Sequence, residues 1–223
     1  MPKKYELIVW DWDGTLMDST STIVQCIQQA CRDLDLPVPD DTLASHVIGL
    51  GVHDALKVAV PTVTERQHPE LVNRFRYHYL SKDHELGLFT GVRDLLERLV
   101  KEGHLLAVAT GKSRKGLDRS LSFHDMHDLF ADTRTADETF PKPHPAMLLE
   151  LSQSLMVPLE RVLMIGDTTH DVLMAKNAGA DVVAVTYGAH PKEVLEQESP
   201  LDCVHNVNEL AKWLSDRKST RLN

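Results

Sequence analysis

The feature that most constrains the fold is an alternation of short apolar runs with longer segments of helical periodicity. Four runs consist almost entirely of apolar residues: LIVW (7–10), LLAVA (105–109), RVLMI (161–165) and DVVAV (181–185). Uninterrupted apolar runs of this length are typical of parallel strands covered on both faces. Because such runs alternate with helical segments along the chain, the sequence predicts a doubly wound, Rossmann-like α/β fold with a parallel sheet.

The segments between the runs have the spacing and the end signals of helices. VRDLLERLVKEG (92–103) has apolar residues three and four positions apart and ends in glycine, which is a common helix terminator. HPAMLLELSQSLMV (144–157) carries a proline near its start, and HDVLMAKNAG (170–179) again ends in glycine. VNELAKWLSDR (207–217) predicts a last helix, followed by a polar tail (218–223) that we expect to be frayed.

One long region interrupts the alternation. Between about Met17 and Leu88 the chain has helical segments but no clear strand, and these segments are STIVQCIQQACRDLDL, DALKVAV and PELVNRFRYHYLSKD. Prolines stop the first two segments and open the third. We therefore predict a catalytic α/β core formed by residues 1–16 and 89–223, with an inserted helical cap domain (17–88) after the first core strand.

Charge and composition exclude several classes of function. The 223 residues carry a net charge of -9, whereas a nucleic-acid-binding surface needs a basic face. The three cysteines form no CxxC pair and no disulfide framework, which fits a reducing compartment. The segment MPKKYELIVW predicts neither a signal peptide nor a membrane span. We expect a cytoplasmic protein, with its twelve histidines solvated or packed rather than bound to metal.

Residues that could bind or react with a ligand follow the ends of the predicted strands. They are Asp11 and Asp13 after LIVW, Thr110 and Gly111 after LLAVA, and Asp167 and Asp171 after RVLMI. In open parallel sheets, ligands bind outside the carboxyl ends of the strands, so we expect these three segments to meet at one edge. Lys142 lies in a further loop, FPKPHP (140–145), which its prolines stiffen before the next helix.

Four carboxylates at one edge would raise one another's pKa and destabilise the fold unless a cation neutralised them. A hard divalent cation such as Mg2+ fits, because it prefers oxygen ligands and bridges phosphate oxygens. Each motif also has a structural interpretation: Asp13-Gly14 is a common turn signal, and Lys142 alone could be a solvated side chain. TGKS (110–113) resembles the end of a P-loop, but a P-loop would need glycine at position 106, where this chain has Leu106. The segment can still offer a hydroxyl and backbone N–H groups to a phosphate.

Taken together, the motifs resemble those of the haloacid dehalogenase-like superfamily of phosphohydrolases, in the branch of phosphoglycolate phosphatases and β-phosphoglucomutases. The resemblance runs from Val9 to about Gly188. DWDGTLMDS is similar to the DxDGTxxDS motif of the family, VATGKSR to its second motif, PKPHP to its lysine motif and IGDTTHD to its GDxxxD motif. The helical insert stands where this branch carries a mobile cap. Trp12 replaces the usual Phe, Leu or Met, and we expect its side chain to pack away from the reacting phosphate.

The resemblance implies a catalytic role for four residues. Asp11 would be the nucleophile that forms an aspartyl-phosphate, in which a covalent step divides one difficult displacement into two. Asp13 would protonate the leaving oxygen and then activate the water that hydrolyses the intermediate. Thr110 and Lys142 would bind the phosphoryl oxygens, where positive charge is needed.

The same resemblance implies a metal site and its support. Asp11, the backbone carbonyl of Asp13 and Asp167 would hold Mg2+. Asp171 would orient metal-bound water or Lys142. The backbone of Gly111 would support phosphate binding beside Thr110.

In the predicted cap, the segment VIGLGVHDAL (47–56) has two glycines, Gly49 and Gly51, that would let a substrate loop approach the site; an ordinary turn between helices is the alternative. The candidates to meet a substrate carboxylate or sugar are Arg74, Arg76 and Lys82, with a solvated face as the alternative. Phe75, Tyr79 and Leu80 are interpreted as an apolar stripe in the core.

The resulting functional prediction is a Mg2+-dependent phosphomonoesterase acting on a small phosphorylated metabolite, such as phosphoglycolate or a sugar phosphate. A β-phosphoglucomutase-like sugar phosphomutase is the alternative, because the motifs barely separate the two activities. A non-catalytic phosphate-sensing module is disfavoured, since a pure binder needs neither a nucleophile nor an acid. We expect no nucleic-acid or membrane partner, and either a monomer or a homodimer.

Overall fold

Six parallel strands form one sheet in the computed structural model, which describes residues 5–216. The strands are β1 (Leu7–Trp10), β2 (Leu105–Thr110), β3 (Asp132–Thr135), β4 (Val162–Gly166), β5 (Asp181–Val185) and β6 (Asp202–Val204). Their spatial order is β3-β2-β1-β4-β5-β6, and each neighbouring pair is parallel. The order reverses beside β1, where doubly wound sheets bind their ligands. The predicted fold class is confirmed.

Ten helices longer than one turn accompany the strands in this part of the chain. They are α1 (Thr20–Asp33), α2 (Asp41–His46), α3 (Val52–Ala59), α4 (His68–Leu80), α5 (Val92–Lys101), α6 (Arg114–Phe123), α7 (Ala146–Ser154), α8 (Thr169–Ala178), α9 (Lys192–Gln197) and α10 (Val207–Asp216). No helix within residues 5–216 is both long and apolar enough to cross a membrane. The tail that we expect to be frayed, residues 218–223, lies outside the described residues.

The sequence prediction found the four central strands and missed the two outer ones. The missed strands, β3 and β6, form the two edges of the sheet. Their sequences, DTRT and DCV, are short and partly polar, because an edge strand is not enclosed as a central strand is. The predicted strand RVLMI is shifted by one residue, since β4 runs from Val162 to Gly166.

Every residue of β1 is buried because both faces of the sheet are covered. Ile8 and Trp10 face one apolar cluster, which includes residues of α5, α6 and α10. Leu7 and Val9 face a second cluster, which includes residues of α7 and α8. Successive side chains of a strand point to opposite faces, so a strand covered on both faces is apolar at each position.

Helices α1 to α4 lie between β1 and β2 in the sequence and pack around a third apolar cluster of their own, which includes Ile27, Leu56 and Leu71. The chain enters and leaves this helical segment side by side, because Met17 pairs with Leu88 in an isolated antiparallel bridge. The Asp18 N–H also donates a hydrogen bond of 3.0 Å to the carbonyl of the neighbouring Gly87.

The interpretation of Phe75, Tyr79 and Leu80 as one core stripe is only partly right. Tyr79 is buried and Phe75 packs against the apolar clusters, with their rings stacked at 5.9 Å. Leu80 is 47% exposed. The buried face of α4 follows a spacing of three and four residues through Leu71, Phe75 and Tyr79, and Leu80 falls one position beyond it.

Candidate active site

The carboxyl ends of the central strands bring the predicted polar residues to one edge of the sheet. Asp11 directly follows β1, Thr110 is the last residue of β2, and Asp167 directly follows β4. Lys142 comes from the loop between β3 and α7, and Asp171 from the first turn of α8. All five side chains are buried.

Lys142 joins two of these acids at the bottom of the site. Its Nζ lies 2.8 Å from Oδ1 of Asp11 and 2.6 Å from Oδ1 of Asp171. Burial alone would lower the pKa of Lys142, but the attraction of both carboxylates raises it above its usual range. The lysine is therefore a fixed positive charge beside Asp11.

Asp171 is held in place by the start of α8. The N–H and the hydroxyl of Thr168, the N-cap residue, donate to Oδ2 of Asp171 over 3.1 Å and 2.7 Å. The first of these bonds, together with the bond that the Asp171 N–H donates to the Thr168 hydroxyl oxygen, forms a capping box. The start of α8 therefore orients Asp171, whose other carboxylate oxygen contacts Lys142.

Asp167 accepts hydrogen bonds on both carboxylate oxygens. The Thr15 hydroxyl donates to Oδ1 over 2.8 Å, and the Ala189 N–H donates to Oδ2 over 2.7 Å. Burial raises the pKa of Asp167 to about 7, the charge of Asp171 adds to this shift, and the two hydrogen bonds oppose it.

Gly14 allows the chain after β1 to approach Asp167. It has a φ of +78°, and a Cβ at this position would lie 2.1 Å from Oδ2 of Asp167. Only glycine satisfies both the backbone angle and this close approach. The DG pair of the first motif is therefore a turn as well as part of the site.

The carboxylate of Asp13 has a different set of partners. The buried Ser19 hydroxyl donates to its Oδ1 over 2.7 Å, and Lys112 Nζ lies 3.0 Å from its Oδ2. Lys112 Nζ also donates a hydrogen bond of 2.8 Å to the hydroxyl of Tyr79 on α4. Sequence reasoning assigned Tyr79 to the core and did not place Lys112 or Ser19 at the site. The available signals were the serine of DWDGTLMDS and the lysine next to Gly111.

Three acids are placed to share a cation. Asp11, Asp167 and Asp171 each offer a carboxylate oxygen, and these atoms lie within 4.8 Å of one another. Oδ2 of Asp11 is buried and has no hydrogen-bond partner among residues 5–216. Burial raises the pKa of Asp11 well above its usual value, with Lys142 opposing and the other two acids reinforcing the shift. An all-oxygen group with excess negative charge fits a hard divalent cation such as Mg2+.

A cavity of about 450 Å³ lies between this edge of the sheet and helices α1 to α4. Its catalytic end includes Asp11, Asp13 and Thr110. Of the two glycines predicted to form a substrate loop, Gly49 lines the cavity. Gly51 does not appear in its wall and is the N-cap residue of α3.

Gly111 contacts the loop between α2 and α3. A Cβ at Gly111 would come within 2.4 Å of the Leu50 carbonyl oxygen and 2.6 Å of that of Gly49. The helical segment is therefore seated against the end of β2 in this structure, and the seat requires a residue without a side chain.

The three basic residues proposed to meet a substrate are in different environments. Arg76 lines the cavity. Arg74 forms a surface ion pair of 3.2 Å with Glu70, one turn earlier on the same helix. Lys82 Nζ lies 3.4 Å from Oε1 of Gln25. Only Arg76 of the three is thus placed to contact a ligand in the cavity.

Trp12 packs away from the reacting groups, as the sequence predicts. Its side chain is fully buried, and its indole N–H donates to the Ser120 hydroxyl over 2.9 Å. The ring meets Phe130 edge-on at a centroid distance of 6.2 Å. The unusual residue in the first motif is therefore accommodated by the apolar core.

The sequence of residues 8–185 matches the family of haloacid dehalogenase-like hydrolases. The chain belongs to this family. The resemblance drawn from the motifs is thereby confirmed. This haloacid dehalogenase-like hydrolase is a phosphatase, like the relatives described below.

The relatives match the chain over nearly its whole length. It is 35% identical over 215 residues to the probable phosphatase IndB of Dickeya dadantii, covering 92% of this chain and 91% of the relative. It is 32% identical over 205 residues to the phosphoglycolate phosphatase of Aliivibrio fischeri, covering 87% and 90%. A crystal structure described as a predicted phosphoglycolate phosphatase from Haemophilus somnus has a TM-score of 0.83 at 28% identity, covering 94% and 97%.

Proposed function

We propose that this phosphatase hydrolyses a small phosphorylated metabolite in a divalent-cation-dependent reaction, by way of an aspartyl-phosphate on Asp11. The observation that carries the proposal is the state of the Asp11 carboxylate. Its Oδ1 is fixed by Lys142 Nζ at 2.8 Å and by the Trp12 N–H at 2.6 Å. Its Oδ2 is buried without a hydrogen-bond partner among residues 5–216 and belongs to a residue that lines the cavity. One oxygen is thus anchored while the other is free to attack.

Charge is the main obstacle to this reaction, because a carboxylate must approach a phosphate dianion. Lys142 places a buried positive charge next to Asp11, where negative charge accumulates in the transition state. Mg2+ held by Asp11, Asp167 and the Asp13 carbonyl would supply further positive charge to the phosphoryl oxygens. Thr110 at the end of β2, with the backbone at Gly111, would bind the same phosphoryl group.

Asp13 is the residue that moves protons. As Asp11 bonds to phosphorus and the ester bond breaks, Asp13 gives its proton to the leaving oxygen. In the second step water attacks phosphorus, Asp13 takes a proton from the water, and the bond between Asp11 and phosphorus breaks. Ser19 and Lys112 hold the Asp13 carboxyl in one orientation, and neither contacts Asp11.

Residues 17–88 act as a cap over a core of residues 1–16 and 89–223. Three observations support this division: the helices α1 to α4 have their own apolar cluster, the chain crosses the boundary at the adjacent Met17 and Leu88, and the cavity lies between the two parts. Closure of such a cap would exclude water and select the leaving group.

The substrate class is a small metabolite of the phosphoglycolate or sugar phosphate type. Relatives that act on phosphoglycolate support this class, as does Arg76, which offers a cation in the cavity to a carboxylate or hydroxyl. The three cysteines are free thiols, as is typical of a reducing compartment, which supports a cytoplasmic enzyme. A monomer or a homodimer remains the prediction.

The proposal is tested by phosphate release from phosphoglycolate and a panel of sugar phosphates, with Mg2+ or with a chelator. We expect turnover only with the cation, and a loss of several orders of magnitude in Asp11→Asn. Asp18→Asn is the matched control, because Asp18 is exposed and lies in the same segment. Undiminished turnover in Asp11→Asn would contradict the proposal. Recovery of the phosphate on a different position of a sugar would identify a mutase instead.

A further inference from the structure

The cavity is larger than the smallest substrate of the proposed class requires. Its volume is about 450 Å³, which lies within the range of about 300–1,000 Å³ that is typical of sites for larger organic ligands. Phosphoglycolate has only two carbon atoms and a carboxylate beyond the phosphate ester oxygen. Such a ligand would leave much of the cavity unfilled, which is unfavourable for tight recognition.

The wall opposite the catalytic acids is apolar. It is supplied by the cap, and its residues are Ile23, Ile27, Ile48, Val52, Leu56 and Phe75. All six also pack against or belong to the apolar cluster of helices α1 to α4. This wall, which we call the cap wall, is therefore held in shape by the packing of the cap and does not depend on a ligand.

Four cationic side chains line the cavity, and two of them already have partners. Lys112 is engaged by Asp13 and Tyr79, and Arg119 is paired with Asp83 at 2.6 Å. Arg76 and Lys115 line the cavity without an ion-pair partner among residues 5–216, but both are exposed.

The cavity therefore offers the six apolar side chains of the cap wall and two cations, Arg76 and Lys115, that have no ion-pair partner among residues 5–216. A leaving group as short as that of phosphoglycolate would leave most of the cap wall without apolar contact. Placing a charge against an apolar wall carries a desolvation penalty, whereas placing a hydrocarbon there gains free energy from burial.

We propose that the preferred substrate is a phosphate monoester whose leaving alcohol carries an apolar body, a ring or chain of about four or more carbons, that lies on the cap wall. This inference rests on the proposed phosphatase function, and it replaces phosphoglycolate with a larger, more apolar ester as the preferred substrate. The phosphate reacts at Asp11, and the apolar body extends from the leaving oxygen towards Phe75 and Val52.

The wild-type protein can be tested with ethyl, butyl and hexyl phosphate in the presence of Mg2+. The three leaving alcohols have nearly the same acidity, so the chemical step is constant and only the apolar area changes. Burial of each methylene group is expected to raise kcat/KM about two- to fourfold. From ethyl to hexyl phosphate we therefore expect a rise of at least about tenfold, with hexyl phosphate also exceeding phosphoglycolate.

Two variants of the cap wall locate the effect. Phe75→Ser and Ile23→Ser should each lower the ratio of kcat/KM for hexyl over ethyl phosphate at least about threefold, because each removes apolar contact area. Tyr77→Ser is the matched control, since Tyr77 lies on the same helix as Phe75 and is 65% exposed. Circular dichroism verifies that each variant is folded. The comparison of the three esters with the wild-type protein does not depend on the variants, so it remains valid if one of them fails to fold.

The outcomes separate this inference from the function on which it rests. If ethyl phosphate and phosphoglycolate are hydrolysed but kcat/KM is flat or falls with chain length, the proposed substrate class is wrong and the phosphatase mechanism stands. If only phosphoglycolate or a sugar phosphate releases phosphate, this inference is wrong and the proposed function stands. If none of these esters releases phosphate with Mg2+, both fail.

Discussion

Lys142 and Lys112 each bridge two partners, but they do so in different parts of the molecule. Lys142 lies between Asp11 and Asp171, both in the core, whereas Lys112 lies between Asp13 and Tyr79 of the cap. The Lys142 side chain is 0% exposed, and those of Lys112 and Asp13 are 9% and 12% exposed. If residues 17–88 act as the proposed cap, the phosphate end of the site is built by the core alone, and the leaving-group end depends on the position of the cap.

The largest expected difference between these two regions is in stability. In metal-free protein, Lys142→Met should lower the free energy of unfolding by about 3 kcal/mol or more, because it leaves two fully buried carboxylates without their cation. Lys112→Met should cost only about 1–2 kcal/mol, because Asp13 keeps its bond from Ser19 and some access to water. Urea unfolding in a chelator measures both, and equal losses would contradict the distinction.

The core end should also make stability depend on pH. Burial raises the pKa of Asp167 from its usual value of 3.8 to about 7, so between these values the folded state holds a proton that the unfolded state has released. The contribution of Asp167 to stability in a chelator is therefore fully present below about pH 4 and is lost as pH rises towards 7, with a slope of up to about 1.4 kcal/mol per pH unit. Mg2+, which binds ionised carboxylates, should flatten the dependence.

Urea unfolding at several pH values measures this slope. Asp167→Asn, which has no titrating carboxyl at this position, should reduce it. If the difference in stability between the wild type and Asp167→Asn stays constant between about pH 4 and 7 in the chelator, Asp167 is ionised without a cation.

The seating of the cap can be disturbed without touching either lysine. Gly111→Ala would push a Cβ against the carbonyls of Leu50 and Gly49, so the cap loop must move. We expect kcat/KM to fall about ten- to a hundredfold, with the folded state retained. Gly87→Ala is the control, since no atom lies within 4 Å of a Cβ built there. Unchanged kinetics in Gly111→Ala would mean that this contact plays no part in turnover.

The smallest expected effect concerns a single hydroxyl. Tyr79→Phe removes the bond of 2.8 Å to Lys112, which is worth about 1 kcal/mol. If this bond helps to close the cap over Asp13, kcat/KM should fall about fivefold. The same change at Tyr77, which is exposed, should have no effect. A loss of stability without a kinetic change would make Tyr79 a packing residue only.

The same two regions differ in how far the sequence predicts them. The core residues could be placed because each follows a strand within a short motif, and because parallel strands end at one edge of a sheet. Lys142 and Asp171 lie 2.6 Å apart, and the role of Asp171 in orienting Lys142 stays a prediction. The edge strands β3 and β6 escaped prediction, since neither has the continuous apolar run of a strand enclosed on both faces.

The cap side of the site could not be predicted in the same way. Tyr79 approaches Lys112 from a helix 33 residues away in sequence, and the spacing of α4 identifies only an apolar face. The cap wall likewise consists of residues that any helical core would contain. Their contact with the cavity depends on how the cap packs on the core, which local patterns do not encode.

The central claim is that Asp11 takes the phosphoryl group. It is tested most directly by mixing Asp13→Asn with Mg2+ and p-nitrophenyl phosphate, whose acidic leaving group needs no proton from Asp13, then quenching with acid and mapping phosphopeptides by mass spectrometry. Without the base that activates water, the intermediate should accumulate. We predict a phosphoryl group on the peptide at Asp11 and none in the Asp11→Asn, Asp13→Asn double variant. Phosphate release with that peptide unmodified throughout a single turnover would contradict the mechanism.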